Sequence, residues 1–187
     1  IEDDIYADTA LSYTPDPLKK LDQTGRVILC SSLSKSLSRD LRIGWISGGR
    51  WQQALLQLKL VTRLASPLSV QNGLAEFISN GDYDSHLKRQ QKWLRQQRDE
   101  LSDQVRGWSA VKNVGIPEGG LTLWVELHGD WDTSALFSEL KSEGVFIAPG
   151  ALFSSKHKFK NYMRLSFAHP WNSRRQKALS ALGKLLS

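Results

Sequence analysis

The spacing of apolar positions shifts repeatedly along the chain, and each shift predicts an element. Val27-Ile28-Leu29-Cys30 is a continuous apolar run of strand length, residues 41–47 read as a second strand, and a serine-rich loop separates them. Trp51, Leu55, Leu58 and Val61 then recur at helical spacing, marking an amphipathic helix that Pro67 interrupts. Residues 70–79 read as a further helix closed by Asn80-Gly81. From 82 to 107 the chain is polar, with Leu87, Leu94 and Leu101 repeating every seven residues. That run is too short to argue for a coiled coil, and one long helix is expected. Beyond it come a strand at 121–127, a helix at 133–142, and strands at 145–147 and 162–168. A last helix follows Trp171-Asn172-Ser173, with Asn172 or Ser173 as its cap and Ala178, Leu179, Leu182 and Leu186 as its buried stripe. The alternation is that of an α/β chain, without internal repeats or low-complexity segments.

Composition narrows the classes. A hydrophobic content of 40% can build a core, and no apolar run approaches the roughly 20 residues of a membrane span. With no signal peptide visible, a cytoplasmic protein without membrane contact is expected. The single cysteine, Cys30, excludes an internal disulfide and reads as a small buried residue. His86, His128, His157 and His169 lack ligand spacing, so no metal is expected. The net charge of +6 raises the question of nucleic acid. However, Lys88, Arg89, Lys92, Arg95 and Arg98 share their segment with Glu100 and Asp103, as on a solvated helix face. No nucleic-acid contact by this chain is expected.

Three groups of residues carry chemistry. Lys35 follows the first apolar run within Cys30-Ser31-Ser32-Leu33-Ser34-Lys35-Ser36-Leu37-Ser38, and Arg42 lies seven residues further on. A desolvated lysine there is an amine nucleophile able to form a Schiff base; the alternative is a solvated lysine at a strand end. Glu2-Asp3-Asp4-Ile5-Tyr6 opens the chain. Arg164 stands among apolar neighbours in Asn161-Tyr162-Met163-Arg164-Leu165-Ser166-Phe167-Ala168, where pairing with a core carboxylate is one reading.

Ser32, Lys35 and Arg42 together resemble the Ser-x-x-Lys run and downstream arginine of fold-type-I aminotransferases, which use pyridoxal 5'-phosphate. Asp3 and Tyr6 resemble the Asp-x-x-Tyr segment of the same family. The resemblance implies that Lys35 holds the cofactor as a Schiff base and moves the alpha proton. Asp3 would pair with the pyridine nitrogen, Tyr6 would donate to the phenolic oxygen, and Ser32 and Arg42 would bind the phosphate. Arg164 would take the substrate carboxylate, while Gly119-Gly120 and Pro149-Gly150 match small-domain positions.

By the same resemblance the chain is the C-terminal part of the fold. Residues 1–81 would be a remnant of the large parallel-sheet domain, and residues 82–187 the interdomain helix with the small α/β domain. The glycine-containing phosphate loop and the ring-stacking aromatic would lie upstream. The parent is therefore expected to bind cofactor, and the fragment alone to bind it weakly or not at all and to be inactive.

Gly81-Asp82-Tyr83-Asp84-Ser85-His86-Leu87-Lys88 and Pro117-Glu118-Gly119-Gly120-Leu121-Thr122-Leu123-Trp124-Val125 resemble the MocR-type regulators of the GntR class. These join an N-terminal winged helix-turn-helix to an aminotransferase-like domain. The expected function is then sensing of an amino acid or related amine in a homodimeric parent that meets DNA through a separate domain. The alternatives are an active amino-acid aminotransferase and a cofactor-free structural or dimerisation fragment.

Overall fold

In the computed structural model, which describes residues 1–63, 65–156 and 158–187, the chain forms two units. The first comprises Ile1–Lys92 with Glu118–Gly120, and the second Trp93–Pro117 with Leu121–Ser187. His157, one of the four histidines found above to lack ligand spacing, lies outside the described residues.

In the first unit, β1 (Glu2–Asp3), β2 (Leu29–Ser32) and β3 (Gly44–Ser47) form one sheet in that order. The sheet is mixed. β1 runs parallel to β2 with Asp3 opposite Cys30, whereas β3 is antiparallel with Gly44 opposite Ser32. Position 44 has to be glycine for β3 to come this close, since a Cβ there would stand 2.8 Å from the Ser31 carbonyl oxygen. α1 (Gln52–Arg63) forms where the spacing predicts it, with Trp51 in the 3-10 turn just before it. Its apolar stripe is not a buried one, however: Leu58 is 56% and Val61 79% exposed, so the period foretells the helix but not its cover. α2 (Leu68–Ser79) starts directly after Pro67, whose fixed φ suits a helix start. Thr9, Leu11, Leu33 and Ser36 are buried, while Cys30, expected to be buried, is half-buried.

α3 (Asp82–Arg106) gives its first turns to the first unit and the remainder to the second. In the second unit, β4 (Val111–Gly115), β5 (Thr122–Leu127), β7 (Tyr162–Ser166) and β6 (Ala148–Pro149) form an antiparallel sheet in that order. Period-2 alternation sends Leu123, Val125 and Leu127 of β5, and Met163 and Leu165 of β7, into the core. Leu94, Leu101 and Val105 of α3 join them, with Leu136 and Leu140 of α4 (Thr133–Ser142) and Leu179, Leu182 and Leu186 of α5 (Ser173–Leu186). Each such side chain contributes about 1.5–3 kcal/mol relative to remaining exposed. Of the two expected caps of α5 the structure uses Asn172, whose side-chain oxygen accepts from Arg175 N at 2.9 Å.

Two expectations need correction. β4 is a strand that the apolar pattern does not announce. Residues 145–147, expected as a strand, bury Val145 and Ile147 and expose Phe146 in strand-like alternation, yet the ladder to β7 begins only at Ala148.

Candidate functional site

Because β1 and β2 are parallel, both deliver their carboxyl ends to one side of the sheet, where α/β proteins place ligands. The segments leaving these ends are tied together: Asp4 N donates to the Cys30 carbonyl at 2.8 Å, and Ser31 Oγ to the Asp4 carbonyl at 3.1 Å. As a result Lys35, half-buried in the turn after β2, holds its Nζ 5.7 Å from the centroid of the Tyr6 ring. The Asp3 carboxylate accepts from Ile5 N at 3.3 Å, and Ser32 Oγ from Ser34 N at 3.3 Å, so each steadies its own turn.

Arg42 was expected to open the second strand. Instead it caps the 3-10 turn Arg39–Leu41 in the left-handed region, φ 54°, with Nη1 donating to the Arg39 carbonyl at 3.2 Å, and β3 begins at Gly44. Such a backbone costs a non-glycine residue roughly 1 kcal/mol or more, and it leaves Arg42 exposed just before Gly44, the register partner of Ser32. Asp3, Asp4, Tyr6, Tyr13, Glu118 and Gly119 line an open groove of about 680 Å³. Burial, and then the neighbouring Glu2, Asp8 and Asp3 charges, raise the Asp4 carboxyl above its usual range. Gly119 and Gly120, matched above to small-domain positions, belong to the first unit: Gly119 bridges Ala10, and Gly120 N donates to the Thr9 carbonyl at 3.2 Å.

A cluster beside Lys35 escaped the sequence reading. The Tyr83 hydroxyl donates to Asp8 Oδ2 at 2.6 Å and lies 2.8 Å from the Ser36 hydroxyl, while His86 Nε2 lies 2.7 Å from the Ser36 carbonyl. Ser36 is fully buried. Burial first, and then the bond to Asp8, pushes the Tyr83 phenol above its ordinary value, with the Ser36 hydrogen bond opposing. Tyr83 and His86 stand in the 81–88 stretch that resembles the regulators, so a signal existed without a role attached. For Asp8 there was none.

Arg164 lies in the second unit on β7, opposite Trp124 of β5 and Ala148 of β6. Its guanidinium sits 4.7 Å from the Phe153 ring centroid, and Trp124 meets Phe153 edge-on at 5.4 Å and stacks on Tyr162 at 5.5 Å. Among the described residues no carboxylate forms an ion pair with Arg164, which weighs against the core-acid alternative. No group of three or more metal-ligating side chains occurs among the described residues. Of their helices, none is long and apolar enough to cross a membrane.

The α/β fold of this chain is that of part of the fold-type-I aminotransferases. More narrowly, the chain belongs to the Aminotransferase class I and II family, which it matches over residues 1–182. It is 30% identical over 185 residues to the uncharacterized HTH-type transcriptional regulator YjiR of Escherichia coli, covering 98% of this chain and 39% of that protein. To the HTH-type transcriptional regulator NorG of Staphylococcus aureus it is 32% identical over 182 residues, 96% of this chain and 40% of the relative. Among solved structures it is similar to LysN, the alpha-aminoadipate aminotransferase of Thermus thermophilus, with a TM-score of 0.86 and 26% identity over 99% of this chain and 49% of the other. That structure is a complex with N-(5'-phosphopyridoxyl)-L-leucine. The chain thus spans about two fifths of these regulators and half of the enzyme.

Proposed function

We propose that this chain is the C-terminal part of an aminotransferase-like domain that binds pyridoxal 5'-phosphate and senses an amino compound in a MocR-type regulator of the GntR class. The observation that carries the reading is Lys35 Nζ held 5.7 Å over Tyr6 in a chain whose relatives include HTH-type regulators. The donor set fits the cofactor: Asp3 suits a protonated ring nitrogen, Tyr6 a phenolic oxygen, and Ser32 with Arg42 a phosphate dianion. When bound, the group supplies an aldehyde that takes up amines and a ring that withdraws electrons from them. Lys35 would hold the group through its Nζ and would move a proton at the ligand's alpha carbon. By the family resemblance, Arg164 is the residue that would pair two N–H donors with a ligand carboxylate.

In this reading residues 1–81 complete a large cofactor domain and residues 82–187 form the linking helix and small domain. The whole protein is a cytoplasmic homodimer that meets DNA through a separate N-terminal domain. The likeness to LysN favours a second reading, an active amino-acid aminotransferase. Amino transfer to a keto acid by the whole protein separates the two.

The cofactor reading is tested by treating the whole protein with pyridoxal 5'-phosphate, reducing with borohydride and weighing the peptides. A saturable label on the Lys35 peptide, lost in Lys35→Ala, is expected. Equal labelling of the variant would refute the assignment.

A further inference from the structure

We propose that Tyr83, Asp8 and His86 are positioning residues for Lys35, forming a tie that holds the lysine turn in register with the Tyr6 turn. The inference deepens the cofactor reading and rests on it.

Proton bookkeeping fixes the direction of the tie. A carboxylate only accepts, so the single Tyr83 hydroxyl proton goes to Asp8 at 2.6 Å. The Ser36 hydroxyl, 2.8 Å away, must then donate to the Tyr83 oxygen. The order is Ser36 to Tyr83 to Asp8, ending on a charge. Ser36 is fully buried, and its hydroxyl is satisfied in the folded chain by the Tyr83 oxygen. His86 adds a second hold, with Nε2 at 2.7 Å from the Ser36 carbonyl. A carbonyl only accepts, so this nitrogen carries the proton.

The ends of the tie fall where they matter. Ser36 directly follows Lys35 within a turn closed by Leu37 N and Ser38 N on the Leu33 carbonyl, at 2.9 and 3.0 Å. Asp8 sits in the 3-10 turn Ala7–Thr9, whose N-cap is Tyr6; the Thr9 hydroxyl and amide both donate to the Tyr6 carbonyl, at 2.7 and 2.9 Å. These are two separate loops, each short enough to swing about its strand end. Tyr83 and His86 stand one helical turn apart at the start of α3, which makes that helix a common anchor for both. The quantity held is the separation of Lys35 Nζ from the Tyr6 ring.

Two measurements test this. Hydrogen exchange on this chain, without cofactor, follows the amides of Thr9, Ala10, Leu37 and Ser38. Tyr83→Phe keeps the ring contact with Phe77 and removes only the relay. Its protection should fall about tenfold in both turns together. In the whole protein, the limiting rate of borohydride-trapped pyridoxal 5'-phosphate attachment at Lys35 should fall roughly 10- to 100-fold, with little change in half-saturation. His86→Gln, which keeps a donor, should hold the wild-type rate, whereas His86→Leu should not. A general loosening of the fold would not be rescued by glutamine. Wild-type trapping by Tyr83→Phe, or loss of protection in only one turn, overturns the proposal. If the wild-type protein itself fails to trap, the cofactor reading fails, and hydrogen exchange alone then decides whether the turns are tied.

Discussion

Replacing Gly150 with alanine tests the packing that supports the Arg164 face. Gly150 is buried at the start of the 3-10 turn Gly150–Phe153, and its amide donates to the Thr133 hydroxyl at 3.4 Å. That hydroxyl in turn lies 2.9 Å from the Lys160 carbonyl and 2.7 Å from that of Tyr162. A Cβ at position 150 would press on the Phe159 carbonyl oxygen and stand 2.7 Å from the Tyr162 oxygen and 2.8 Å from Tyr162 Cβ. Two of these three neighbours are backbone atoms of a hydrogen-bonded strand and its lead-in, which cannot rotate aside. The cost should therefore sit at the upper end of the overpacking range, about 3 kcal/mol. For a chain of this size that corresponds to a melting temperature lower by about 6–12 °C. Gly73→Ala is the matched control. It lies inside α2 with no atom within 4 Å of the new Cβ apart from its chain neighbours and the helix's own backbone, and should raise stability by about 0.5–1 kcal/mol. Thermal unfolding followed by circular dichroism compares the two. A Gly150→Ala protein melting within about 1 °C of wild type would show that this seam yields where the geometry says it is stiff.

Arg164→Ala should weaken carboxylate ligands roughly 10- to 100-fold in the whole protein while leaving attachment at Lys35 intact. Loss of attachment in a borohydride assay would instead assign Arg164 to the fold. Because the folded-state value of Tyr83 is raised above the ordinary phenol value of 10.0, both folded and unfolded states are protonated below that pH and the contribution of Tyr83 is complete there. Above it the unfolded phenol ionises first, so stability declines with rising pH. Urea midpoints compared at about pH 9 and 11 should fall less in Tyr83→Phe than in wild type, and equal falls would contradict the raised value.

Helices were legible because propensity, period and punctuation agree within them. α4 occupies the predicted Thr133–Ser142, with Asp132 accepting from Ser134 N at 2.8 Å as its cap. Strands were less so, since a strand is defined by its neighbour. Val111-Lys112-Asn113-Val114-Gly115 has little apolar signal and becomes β4 by pairing with β5, the Lys112 ammonium meeting Glu126 at 2.7 Å. Residues 145–147 have the signal but no ladder partner. In the candidate site, Lys35 was singled out by residue type and spacing, and Tyr6 only by the resemblance of its segment to the family. Asp8 was not, because its meaning comes from a hydrogen bond to a residue 75 positions away. The left-handed Arg42 was equally hidden, since nothing in its side chain demands that backbone.

The seat of Arg164 on Phe153 has an entropic consequence. A free arginine gives up about 2 kcal/mol of rotamer freedom when a ligand captures it. With its guanidinium already resting 4.7 Å from a ring centroid, much of that ordering is completed when the chain folds. On the proposed reading, an arriving carboxylate would therefore find donors already arranged, would have no carboxylate to displace among the described residues, and would keep more of its interaction energy as affinity.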